Sequence, residues 1–232
     1  MQAEVTRPSC LQFAHSRTIQ KVRLVILSAS QIVSLHDRLT RDWHVLPPLA
    51  EPTPPVPSDA WLSLVAAQHR ANFGLWHIED EARTPGASYA VLADVKRRVD
   101  STNQRRNDLA EELDRILLAE LAPTGLPNPE APLHSESPGL MIDRLSILAL
   151  KIFHTREELD RCAGPAAVPE GHAQRNRERL SILEAQRDDL ARCLDSLWQS
   201  TLSGSRRFKL YRQLKMYNDP TLNPAIYRNR PA

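Results

Sequence analysis

Glycine is scarce in this chain: 7 glycines stand against 18 prolines in 232 residues. That balance disfavours a sheet protein with many tight turns and favours helices separated by proline-marked loops. Cysteine is nearly absent. Cys10, Cys162 and Cys193 are far apart and odd in number, which makes neither a disulfide framework nor a zinc site. Such usage suits a reducing cytoplasm, the expected location. Charge of one sign is missing too: 30 basic against 28 acidic residues leave +2, so no global field draws the chain to nucleic acid or acidic lipid. No stretch approaches the roughly 18 apolar residues of a membrane span. Also missing are a Walker loop, a glycine-rich dinucleotide turn, a GxSxG elbow and HExxH. With no i, i+4 histidine pair and no Glu-x-x-His pair, zinc and di-iron chemistry find no local support.

What is present centres on residues 136–154, ESPGLMIDRLSILALKIFH. Ser137 can cap a helix whose first position suits Pro138, since that N–H has no intrahelical partner anyway. From Leu140 to Phe153 the stretch is apolar on nearly every face, which predicts a helix surrounded by the rest of the protein. Other helices are expected at about Ser28–His44, Asp59–Arg83, Ser88–Leu121 and His172–Leu202, with a short sixth near Arg206–Met216. Residues 46–57, rich in proline, predict an extended connector. The expectation is all-α: a single-domain bundle of five long helices plus a short C-terminal helix over 28–228. Residues 1–27 would be a poorly ordered extension and 229–232 a tail.

Polar residues on seams that should be apolar are the informative ones. Arg106 interrupts the series Val95, Val99, Thr102, Leu109, Leu113, Ile116, and Arg187 interrupts Leu180, Leu183, Leu190, Leu194, Leu197. The second helix sends Gln68, Asn72 and Glu79 along one seam and His69, Asp80 and Arg83 along the next. Asp143, Arg144 and Lys151 lie within the central stretch. Ion pairs that fix helix register would account for any one of these. Together they suggest a site for an anion or a metal. Glu79, Asp80 and Asp143 offer hard oxygen ligands for a Mg²⁺-type ion and acid/base groups; Asp100, Asn103, Asn107 and Asp108 are further oxygen donors. Arg83, Arg106, Arg144 and Arg187, with Lys151, could hold phosphate or carboxylate. His77, three residues before Asp80, is a candidate base or ligand. The basic run 206–217 would dock through Phe208, Tyr211 and Leu214, leaving Arg206, Lys209, Arg212 and Lys215 for solvent or an anion.

Four blocks, NFGLWHIEDEAR from Asn72, NQRRND from Asn103, SPGLMIDRLSI from Ser137 and YRQLKMYNDP from Tyr211, resemble those of the bacterial domain-of-unknown-function family 4254, over about residues 29–228. Ser137 and Leu214 stand where Thr and Phe are expected. The resemblance implies a neighbourhood in cell-envelope glycan synthesis, close to glycosyltransferases, and assigns no catalytic residue. The combined expectation is a protein that binds, and as an extension processes, a phosphorylated sugar or nucleotide-sugar in an interhelical site. The alternatives are a helical partner or scaffold of a glycosyltransferase and, third, a nucleic-acid-binding regulator acting through 206–217.

Overall fold

The structure, a computed structural model, describes residues 28–45, 60–164, 169–214 and 221–222. The connector 46–57, the extension 1–27 and the tail 229–232 lie outside the described residues, as does Lys215. Five long helices make the fold: α1 Ala29–Val45, α2 Ala60–Glu81, α3 Tyr89–Leu121, α4 Pro138–Cys162 and α5 His172–Leu202, with a 3₁₀ turn at Ala122–Thr124. Among the described residues there is no strand, only an isolated bridge, so the all-α class holds. No helix among them is long and apolar enough to cross a membrane.

The central stretch is central in space as well: α4 alone among the described helices touches the other four. It starts as its sequence dictates, with the Ser137 side chain accepting from the Leu140 N–H and Pro138 in the first turn. The Asp114 carboxylate, buried on α3, accepts from the Gly139 N–H at 2.7 Å and so places an acceptor at the positive end of α4. Met141, Ile142, Leu145, Ala149, Leu150 and Ile152 are buried around it, a broad stripe rather than a narrow seam. Met141, Ile142, Leu145 and Leu150 join Leu35 and Leu39 of α1, Leu113 and Leu117 of α3, and Leu190, Leu194 and Leu197 of α5 in one core.

The α3–α4 crossing is unusually close. A Cβ added at Gly139 would lie 2.2 Å from the carbonyl oxygen of Ala110, so only glycine fits.

One expected element is absent. Residues 206–214 are extended rather than helical. The backbone of Arg207 turns outward to the loop before α4: its N–H donates to Pro132 O at 3.1 Å, and its C=O accepts from His134 N at 2.8 Å. Its guanidinium Nε also donates to Ala131 O at 2.8 Å. The proline-marked loop cannot pair its own backbone as a helix, and this segment supplies the missing partners. Consequently Phe208 alone of the three expected anchors is buried, at 3 % exposure, while Leu214 is 80 % exposed. Upstream, α5 ends as expected at Gly204, whose φ of +74° is the left-handed turn that glycine adopts freely.

Candidate functional site

Three helices bring polar groups together where α2, α3 and α4 meet. Asp143, on α4, is the hub. Its Oδ1 accepts from Asn72 Nδ2 at 2.9 Å and from Gln68 Nε2, both on α2. Because a carboxylate only accepts, each amide must present its NH₂, and Gln68 Oε1 is left buried without a partner. From α3 the Arg106 guanidinium approaches the same oxygen, Nε to Oδ1 3.7 Å, with side chains only 24 % and 13 % exposed. Burial pushes the Asp143 carboxyl above its ordinary range, opposed by the Arg106 charge and the two amide donors.

The network continues inward. Asn72 also donates to Ser146 Oγ at 2.9 Å, Ser146 Oγ meets His69 Nδ1 at 2.7 Å, and His69 Nε2 meets Thr40 Oγ1 at 2.9 Å. All four of these side chains are buried. A neutral imidazole carries one N–H, so His69 donates to one hydroxyl and accepts from the other, linking α1 and α4 through α2. Burial holds the His69 pKa well below 6.5, reinforced by its neighbours His36 and Arg70. His36 stacks on His69 at 4.5 Å, and neither of its ring nitrogens has a partner.

Beside this network opens a cavity of about 320 Å³ lined by Asn72, Leu75, Trp76, Glu79, Asp80, Arg83, Arg106, Ile147 and Leu150. The structure thus collects Asn72, Glu79, Asp80, Arg83 and Arg106 in one wall, with Asp143 hydrogen-bonded or ion-paired to two of its residues. Their depths differ. Asn72 is interior, while Glu79, Asp80 and Arg83 stand at the rim, where Arg83 reaches Glu79 at 3.5 Å and Asp80 at 3.8 Å. Their seams lead towards the interior in sequence, but α2 ends at Glu81, so Glu79 and Asp80 fall in its last turn and Arg83 lies beyond it.

The other expected site residues are not brought here. Arg144 is exposed and paired with Glu136 at 2.8 Å and 3.0 Å. Lys151 and Arg212 are exposed. Arg187 is half-buried and paired with Asp37, Nη1 to Oδ2 3.0 Å, a tie between α5 and α1. Asp100 is taken by Lys96 and Asp108 by Gln104; Asn103 and Asn107 stay out of the cavity wall. Nor do Glu79, Asp80 and Asp143 form a metal-ready group, because two amides claim the Asp143 oxygen that faces α2 and the other two carboxylates point to the rim. Among the described residues the groupings with donor atoms close enough for an ion are His44, His77 and His154, and Glu158, Cys162 and His172. Thus His77 faces two other histidines rather than the cavity. Sequence reasoning passed over His44; Gln68 and Ser146 stood out only as polar positions on largely apolar helices, and no short spacing joins the three.

Fold and site together define an all-helical protein with a charged cavity beside its central helix. The model of the family described as "Protein of unknown function (DUF4254)" matches residues 62–210. The chain belongs to that family, and the match spans α3, α4, α5 and all but the first two residues of α2. No curated protein and no solved structure matches the chain.

Proposed function

We propose that this protein binds a phosphorylated sugar in the cavity between α2, α3 and α4. The observation that carries the reading is Arg106. Its guanidinium is largely withdrawn from water, its buried Nε has no hydrogen-bond partner, and its nearest carboxylate stands off at 3.7 Å. A half-buried cation so loosely matched is suited to a phosphate, which takes paired guanidinium donors. Around it Glu79 and Asp80 can accept from hydroxyl groups, Asn72 can donate, and Trp76 offers an apolar ring wall. Size favours one of the two ligand classes. Ligand cavities run from about 300 to 1,000 Å³, and about 320 Å³ suits a sugar monophosphate better than a whole nucleotide-sugar. Cytoplasmic cell-envelope glycan metabolism in a bacterium is the setting that goes with such a ligand.

The test is calorimetry and thermal shift with sugar phosphates, nucleotide-sugars, unphosphorylated sugar and inorganic phosphate, each with and without Mg²⁺. A ligand at 100 times its Kd stabilises by about 2.7 kcal/mol, easily read as a shift in Tm. Arg106→Gln should abolish the response to phosphorylated ligands. A response that survives Arg106→Gln, or none from any ligand, defeats the reading. A helical partner for a glycosyltransferase would then take its place, favoured by the exposed Tyr89, Val91 and Leu92 at the start of α3.

A further inference from the structure

A second cluster of chemistry-bearing side chains lies where the end of α1 meets α2 and α4. His44, His77 and His154 come from three different helices, yet the ring nitrogens they offer lie within 4.8 Å of one another. Two of the rings are held by their other nitrogen. His44 Nδ1 donates to the Thr40 carbonyl at 2.6 Å, since a carbonyl can only accept. His154 Nδ1 meets the Glu157 carboxylate at 2.7 Å. With a neutral ring, each bond fixes the tautomer that leaves Nε2 as a bare lone pair. Both of those Nε2 atoms are buried and have no hydrogen-bond partner.

We propose that His44, His77 and His154 form a binding site for a divalent transition metal of the zinc type. Histidine ligands in metalloproteins hold the metal with one nitrogen and give the other N–H to a carboxylate or main-chain carbonyl, the arrangement seen at His154 and His44. Three neutral imidazoles suit zinc, cobalt, nickel or copper and not magnesium or calcium, which need oxygen. They leave one coordination position free, as in open zinc sites. The rings are positioned by aromatic packing: Phe153 stacks on His44 at 4.2 Å, Trp76 on His154 at 4.5 Å, and Phe73 packs edgewise on both His44 and His77. Burial keeps His77 and His154 below their ordinary pKa, with the neighbouring histidines acting in the same direction. Glu157 beside His154 and Asp80 near both rings oppose that lowering and supply negative charge for a dication.

The alternative is an imidazole-rich aromatic cluster with no ion. It leaves two buried nitrogens unexplained, where phenylalanine would pack at no such cost. The second grouping, Glu158, Cys162 and His172, is the poorer candidate, because His172 Nε2 already bonds Glu158 at 2.7 Å and Arg161 takes the same carboxylate. Trp76 and Asp80 line the cavity, so the histidine site adjoins it without sharing Arg106.

Tag-free full-length protein, stripped with a chelator, should take up one Zn²⁺ or Co²⁺ per chain by calorimetry. The Co²⁺ form should show the visible bands of a nitrogen-ligated, four- or five-coordinate ion. His77→Ala and His154→Ala should each abolish that spectrum. Glu157→Gln, a half-exposed change that spares the core, should weaken binding about 10- to 100-fold. No uptake by the wild type at micromolar metal overturns the proposal. So does a thiolate-to-cobalt charge-transfer band, which would place the ion at Cys162, or uptake that persists undiminished in Glu157→Gln and His77→Ala. Loss of the cobalt spectrum with sugar-phosphate binding intact would separate this site from the cavity.

Discussion

His36 should make the protein acid-sensitive, and a single substitution should remove much of that sensitivity. Its ring is fully buried, stacked on His69, with both nitrogens unpartnered, and burial pulls its pKa from 6.5 to about 3. Below pH 6.5 the unfolded chain binds a proton at this residue and the folded chain does not. Stability therefore falls as pH falls, and is fully present only above the unfolded value. At pH 5 the penalty from His36 is about 1.5 pH units times 1.36 kcal/mol, or ~2 kcal/mol. Asp114 acts in the opposite sense, because burial raises its carboxyl to about 6, so between pH 7 and pH 5 it returns ~1.4 kcal/mol. His69, His77 and His154 are lowered as well and act in the same sense as His36, so the informative quantity is a difference between proteins and not the wild-type slope itself. His36→Phe keeps a ring against His69 and removes the titrating group. It also removes a neighbour that lowers the His69 pKa, a change in the same sense. Urea denaturation at pH 7 and pH 5 should therefore show the variant losing ~2 kcal/mol less than the wild type over that interval. In a chain of this length that corresponds to about 4–8 °C in Tm. Any packing cost of the larger ring appears at both pH values and cancels. Equal losses in the two proteins would refute the account and place the acid-sensitive group elsewhere.

Two further substitutions probe the frame of the site. Gly139→Ala should destabilise by about 1–3 kcal/mol or prevent folding, since its methyl would stand 2.2 Å from Ala110 O; chemical denaturation reads the loss, and wild-type stability would show that α3 and α4 separate freely. Asp114→Asn keeps an acceptor for the Gly139 N–H but cannot ionise. Relative to Asp114→Asn, the wild type should lose up to ~3 kcal/mol of stability as pH rises from about 4 through about 6; parallel pH profiles would contradict the raised carboxyl.

The helices were legible because their ends carry local chemistry. Ser88 and Ser137 cap α3 and α4 as their positions suggest, and Gly204 closes α5. Residues 206–214 were misread as a helix because their spacing is amphipathic, whereas their backbone partners sit some 75 residues away in the loop at 131–134, which no local pattern reveals. In the site, Asn72, Arg106 and Asp143 stood out as polar intruders in apolar seams, and they do meet. Arg144 and Lys151 looked the same in sequence but project from the outer face of α4, because a helix apolar nearly all round does not announce which side is covered. His44 lay beyond sequence reasoning, and His154 could be read there only as an isolated candidate base or ligand, for a different reason. His44 shares α1 with His36 but has no histidine within a turn of it, His154 is the one histidine of α4, and their meeting is a product of helix docking.

The contact between Gly139 and Ala110 also sets the character of the cavity. Arg106 precedes Ala110 by one turn of α3, and Asp143 follows Gly139 by one turn of α4, so the two helices run antiparallel through this crossing. The spacing between guanidinium and carboxylate is therefore inherited from two backbones already touching, and neither side chain can close the gap by drawing the helices together. A mouth framed in this way on one side should reshape little around the proposed sugar phosphate. The consequence is kinetic: ligand entry should follow a single bimolecular phase whose rate rises linearly with concentration, without the slow saturable step of a closing lid.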